Sequence, residues 1–217
     1  MGHENFNIMR KAMVESQLRT SNVSDMRVIE AMSAVPREDF VSAAQRNVAY
    51  ADRGVRIGDS RALNAPLTTG RLLDAARLKL TDNVLLIGAA SGYTAAVLAR
   101  LAGQVTAVEQ SSTLAAVAVK NLAGFENVTV EKSSHTDGFA AGAPYSVIMI
   151  DGIVDQVPQI LVDQLAGDGR LVAAIIDNGV ARCALGHKAG DSIGYQFFAD
   201  CGGCHLPGFE RAKGFVF

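Results

Sequence analysis

The sequence predicts a doubly wound α/β domain, a Rossmann-like parallel sheet with a helical layer at its N-terminal end. Three observations predict it. The first is a series of short apolar runs after residue 82: "NVLLIG", "QVTAVE", "NVTVEK", "YSVIMID" and "RLVAAII", most of them separated by helical segments. Runs that are apolar throughout are buried on both faces, and their alternation with helices means a parallel sheet covered on each side. The second is the helical spacing of apolar residues from residue 5 to about 48, the mark of a packed helical face. The third is "VLLIGAASGY", Val84 to Tyr93, where an apolar run enters a glycine-flanked turn and then an Ala-rich helix.

Taken in order, "MVESQL" carries apolar residues at helical spacing, and Ser24-Asp25 reads as a cap opening "MRVIEAMSAV". That helix must stop before Pro36, whose ring disfavours a helical conformation at the preceding residue. A loop rich in glycine and arginine is expected from Arg53 to Asn64, then a helix after Pro66 running through "RLLDAARLKL". The tail, "GYQFFADCGG" to "RAKGFVF", predicts two further strands, antiparallel at one edge, with the aromatics of "GFVF" in the core.

The chain has 217 residues, 49% hydrophobic and 19% charged, which suits one well-buried domain. The expected division places N-terminal helices and a substrate loop in 1–78 and a cofactor-binding α/β core in 79–217. A formal net charge of −2 with Lys and Arg spread along the chain gives no electrostatic footprint for nucleic acid or an anionic membrane. No apolar run reaches membrane-spanning length, the first residues lack a signal-like apolar core, and there are three cysteines. The expectation is a cytoplasmic protein with free thiols.

A strand ending at Gly88 and turning into a helix near Ser91-Gly92 places backbone N–H groups at the turn. The dinucleotide fingerprint needs G-x-G-x-x-G, and here those positions hold Gly88, Ala90 and Tyr93. No G-x-x-x-x-G-K-[ST] loop exists either, so a nicotinamide cofactor or ATP is disfavoured. Glu109 closes the next strand, about twenty residues beyond the loop, where a carboxylate accepts hydrogen bonds from ribose hydroxyls. Read alone, Glu109 is an ordinary solvated strand-end carboxylate. Read after this loop, it points with Gly88 and Gly92 to an adenosine cofactor without phosphates, S-adenosylmethionine.

From about Met13 onward the chain resembles the protein-L-isoaspartate O-methyltransferase family. The segments that carry the resemblance are "MVESQLRTSNVSDMRVIEAMSAVPREDFV", "AYADRGVRIGD", "VLLIGAASGYTAAVLARLAGQVTAVE", "NVTV", "APYSVIMIDG" and "QLAGDGRLV". It implies a class I methyltransferase fold and methyl transfer to the α-carboxyl of isoaspartyl residues in damaged protein. It also implies a cofactor site at Gly88, Ala90, Ser91, Gly92, Glu109, Ser134 and His135.

Three departures fall in the functional regions. The family's V-L-E-I-G-T-G-S-G-Y has Leu86 for Glu and Ala90 for Gly; its G-D-G falls on Ser133, Ser134 and His135. Its T-I-S-Q-P falls on Ala62, Leu63, Asn64, Ala65 and Pro66. The expectation is weakened cofactor binding, with Ser134 as a substitute partner for adenine and His135 stacking on it. Asn64 is the candidate catalytic donor to the substrate carboxylate; its other reading is a turn residue before Pro66. Two rival functions follow from the departures: a weak or inactive family member acting as a scaffold, or a methyltransferase with another acceptor. A monomer or homodimer is expected.

"CGGCH", Cys201 to His205, matches a c-type haem pattern, and with Cys183 or His187 it could supply zinc ligands. The plainer reading, a turn built on Gly202-Gly203, is preferred, and no metal is expected. Asp151 either touches the methionine amine or starts the next helix, the second being favoured. Tyr93 is expected to pack beside the cofactor.

Overall fold

The computed structural model describes residues 3–211. The helical layer begins with α1 (His3–Met13), continued by π-helical residues Val14–Leu18, and α2 (Met26–Ala34). Asp25 caps α2 by accepting the Arg27 N–H, satisfying one of the helix's free donors. As the sequence indicates, α2 ends before Pro36.

The expected loop from Arg53 to Asn64 is instead a hairpin of β1 (Val55–Gly58) and β2 (Arg61–Leu63), paired antiparallel as a sheet of its own. Asp59 and Ser60 at its tip both adopt positive φ, the conformation that tight two-residue hairpin turns require. Helix α3 (Pro66–Ala76) has proline in its first turn and ends where Arg77 turns left-handed. It is therefore shorter than "RLLDAARLKL" suggests.

The main sheet contains β3 (Asn83–Ile87), β4 (Gln104–Glu109), β5 (Val128–Lys132), β6 (Tyr145–Val154), β7 (Leu165–Asp177), β8 (Val180–Ala189) and β9 (Ser192–Asp200). Its order is β5-β4-β3-β6-β7-β8-β9. Strands β3 to β7 pair in parallel, while β8 and β9 add antiparallel at one edge. The chain starts in the middle at β3, works outward to β5, and returns beside β3 as β6. That reversal creates the crevice at the carboxyl ends of the strands where doubly wound sheets place ligands.

Helices α4 (Tyr93–Leu98), α5 (Ser112–Asn121) and α6 (Gln159–Asp163) connect the strands. Successive β3 residues serve opposite faces. Val84 and Leu86 join a cluster with Val28, Leu72, Leu73 and Val97, whereas Leu85 and Ile87 join one with Leu161, Leu165 and Phe209. The two clusters are the two sides of the sheet. Of the tail strands, the first is β9; the expected strand and core aromatics in "RAKGFVF" lie outside the described residues. No helix among the described residues is long and apolar enough to cross a membrane.

Candidate cofactor and substrate site

Gly88 and Gly92 adopt φ of 84° and 101°, and Ala90 sits at 54°. Glycine takes such angles freely; for alanine the left-handed region costs about 1–2 kcal/mol. Four of the loop's backbone donors are spent inside the chain. The Gly88 and Ala89 N–H groups both donate to the Val108 carbonyl at 2.9 Å, and the Gly92 N–H to Ala89 at 2.8 Å. The Ala90 N–H donates to Glu109 Oε2 at 2.7 Å. Ser91 donates its hydroxyl to the Phe40 carbonyl at 2.6 Å. α4 itself is only six residues long.

Glu109, at the end of β4, is the centre of the site, and it is completely buried. Besides the Ala90 amide it accepts the Ser111 N–H at 3.0 Å. His135 Nε2 lies 3.2 Å from Glu109 Oε1 and 3.1 Å from the Gln110 nitrogen. Arg61 Nη2 lies 3.5 Å from Glu109 Oε2 and donates to the Gly88 carbonyl at 3.0 Å. Burial pushes the Glu109 carboxyl upward, but the His135 contact, the Arg61 charge and the Ser111 amide outweigh it and bring it down to about 2. The carboxylate at the strand end is thus ionised and fully enclosed. The residues that hold it ionised belong to the protein.

Beside it lies a second polar group. Asp151, in β6, is buried and accepts the Asn64 amide at 2.7 Å and the Thr94 hydroxyl at 2.5 Å. It continues the strand, since β6 runs to Val154, and starts no helix. Burial pushes its carboxyl up, opposed by those two hydrogen bonds and by the Arg61 and Arg37 charges. Arg37 is fully buried, donates to the Ala49 and Asn64 carbonyls and lies 4.6 Å over the Tyr93 ring. Tyr93 thus packs against arginine and Phe40.

The positions expected to serve the adenine divide. His135 is buried against Glu109, so its ring edge faces the carboxylate. Ser134 is half-buried and pairs with the Thr136 hydroxyl at 2.9 Å. Leu86 is fully buried on the helical-layer face of β3.

The segment after β9 closes the crevice. Cys204 and Leu206 bond the backbone of Ile153 at 2.9 and 2.8 Å, and Leu206 is buried. A Cβ added to Gly88 would stand 2.8 Å from Arg61 Nη2 and 3.0 Å from Leu206 Cδ1. The space beside Gly88 is therefore taken up by Arg61 and Leu206. With these two side-chain ends against Gly88, the residues as placed do not fit S-adenosylmethionine there. Neither residue is singled out by sequence patterning, although Arg61 belongs to the arginine-rich stretch 53–64. As for "CGGCH", the three cysteines are free, and no cluster of three or more His, Cys, Asp or Glu among the described residues could hold a metal.

Residues 8–197 match the family described as protein-L-isoaspartate(D-aspartate) O-methyltransferase. A protein-L-isoaspartate O-methyltransferase of Rhodopseudomonas palustris is 43% identical over 165 residues, 75% of this chain and 76% of that protein. One from Geotalea uraniireducens is 36% identical over 202 residues, 89% of this chain and 93% of that protein. Among solved structures, a protein-L-isoaspartate O-methyltransferase superposes with a TM-score of 0.80 at 24% identity, over 92% of this chain and 66% of that one. A putative Plasmodium falciparum enzyme of the same kind, in complex with S-adenosyl-L-homocysteine, gives 0.75 at 20% identity, over 91% of this chain and 97% of that one. These two likenesses concern the fold, which is that of a class I methyltransferase. With its sheet, its strand-end carboxylate and its sequence matched over most of its length, the chain belongs to the protein-L-isoaspartate(D-aspartate) O-methyltransferase family.

Proposed function

We propose that this chain transfers the methyl group of S-adenosylmethionine to the α-carboxyl of isoaspartyl residues in damaged proteins. The observation that carries the reading is the family match over residues 8–197, with relatives bearing that activity's name at up to 43% identity. S-adenosylmethionine is the cofactor, and it supplies an electrophilic methyl group on a sulfonium. The acceptor carboxylate is already ionised, so the protein needs no general base. Its task is to align the acceptor and exclude water.

The chain's own residues support that task. Glu109, held ionised at the end of β4, is the acceptor for ribose hydroxyls. Asn64 is the proposed donor to the substrate carboxylate. Its amide has two N–H groups; one is fixed on Asp151 at 2.7 Å, which orients the other. Asp151 and Thr94 are thereby positioning residues. The work divides between an N-terminal part, 1–78, that presents Asn64, and the α/β core, 79–217, that presents Glu109. We place the reaction in the cytoplasm, consistent with free thiols, in a monomer or homodimer that does not act on nucleic acid.

The test compares an isoaspartyl peptide with its normal aspartyl twin, each incubated with folded protein and S-adenosylmethionine. The reading requires a methyl ester on the first and none on the second. Equal labelling, or none, removes it.

A further inference from the structure

The side chain that closes the adenosyl site is a cation, and it lies against the one carboxylate a ribose would use. Arg61 comes from the hairpin, outside the main sheet. It reaches Glu109 with side-chain exposures of 3% and 0%, so solvent hardly weakens the attraction. We propose that Arg61 is an internal ligand of the adenosyl site, competing with the cofactor for Glu109 and for the space above Gly88. This rests on the function proposed above.

A structural ion pair is the plainer explanation, and the geometry argues against it. Arg61 meets Glu109 through a single nitrogen at 3.5 Å rather than through the two-pronged contact that makes such pairs strong,. Its Nε is buried with no hydrogen-bond partner. A buried cation left partly unsatisfied is a poor device for stability. Glu109 does not need Arg61 to be satisfied, since the Ala90 amide already donates to Oε2 and the Ser111 amide to Oε1. The contact is thus one the protein can release without stranding the carboxylate.

Release of the contact needs only the Arg61 side chain to swing away, since Nη2 is the far end of a flexible chain. The hairpin is anchored through Val55 and Leu63 in the core, while its tip from Gly58 to Ser60 is exposed and leaves room beside β2. The covering segment itself is anchored, by the two Ile153 backbone bonds and by Leu206 and Phe209 buried in the core, so the part that moves is the Arg61 side chain. When a competent form is only a fraction of the population, apparent affinity falls by that fraction. Removing the internal ligand raises the fraction. An arginine is unlike a serine or glycine at such a place, because its reach and charge let it stand in for the ligand's donors.

The experiment is calorimetric titration of S-adenosylhomocysteine into wild type, Arg61→Ala, Arg61→Gln and Arg61→Lys, each checked for a cooperative unfolding transition. Ala and Gln are expected to bind about tenfold tighter or more, and Lys, which keeps the charge, to stay near wild type. Unchanged or weaker binding in folded Ala and Gln variants overturns the proposal while leaving the function standing. Absence of binding in every protein overturns both. Tighter binding in Ala and Gln without methyl transfer to an isoaspartyl peptide keeps the internal ligand and removes the function.

Discussion

Arg61 and Glu109 meet inside the crevice with their charged groups 3.5 Å apart and both side chains withdrawn from water. Forty-eight positions separate them along the chain, yet they join the hairpin to the end of β4.

Removing the carboxylate should therefore be costly. Glu109→Gln takes from the buried Arg61 its one carboxylate contact and leaves only the more distant Asp151 charge, and loss is expected at about 3 kcal/mol. Adding Arg61→Met should recover most of it, since the cation is then gone. Denaturant unfolding of the two single variants and the double variant measures this. A double variant no more stable than Glu109→Gln alone would show that the pair is not coupled.

The acid limb of stability should carry the same signature. The folded Glu109 carboxyl titrates at about 2, below its ordinary 4.5. A depressed carboxyl contributes stability that is complete above the unfolded value and lost as pH falls through the folded one. The window is thus roughly pH 4.5 down to 2, and Glu109→Gln should flatten it. Asp151 works in the opposite sense. Its carboxyl is raised above 3.8 by burial, so its contribution falls as pH rises through the folded value. An unfolding series from pH 2 to 6 on wild type and variant, with an unchanged slope in both, would refute the assignment.

Restoring the family's acid at position 86 should not restore the cofactor site. Leu86 is fully buried among the core residues on the helical side of β3. Leu86→Glu loses about 1.5–3 kcal/mol of apolar burial and adds a buried carboxylate without a partner. The expected outcome is a drop in thermal midpoint with no gain in S-adenosylhomocysteine affinity. Tighter binding at full stability would show that the surrounding core has room for the acid.

Asn64 tests the substrate side. Asn64→Ala removes the donor to Asp151 at 2.7 Å and leaves a buried acceptor short of a partner, at about 1–3 kcal/mol. As the proposed carboxylate donor it should also lower methyl transfer about a hundredfold, while S-adenosylhomocysteine affinity stays within a few-fold. Asn64→Ser, with a hydroxyl in place of the amide, should retain much of the rate. Wild-type turnover by Asn64→Ala would confine the residue to a structural role.

The sheet was legible because its strands are buried on both faces and read as unbroken apolar runs, from "NVLLIG" to "RLVAAII". Strand β8 was not, because "VARCALGHKA" mixes small residues with charges instead of forming an apolar run. Its one local signal was Asn178-Gly179, both at positive φ, the pair that favours a tight hairpin turn. The β1–β2 hairpin hid in the same way among glycines and arginines. Gly88, Gly92 and Glu109 fell where the strand–turn–helix order put them. The partners of Glu109 did not announce themselves, since Arg61 and His135 reach it only through the packing of distant segments. The altered loop suggests a weakened site; the structure adds that Arg61 and Leu206 stand against Gly88.

The most direct test of this account is methyl transfer to an isoaspartyl peptide, followed as S-adenosylmethionine is raised, for wild type beside Arg61→Gln. The account predicts ester formation on the isoaspartyl peptide by both proteins, with wild type half-saturating at about tenfold higher cofactor or more. Folded protein that forms no ester with either sequence, at any cofactor concentration, would contradict it.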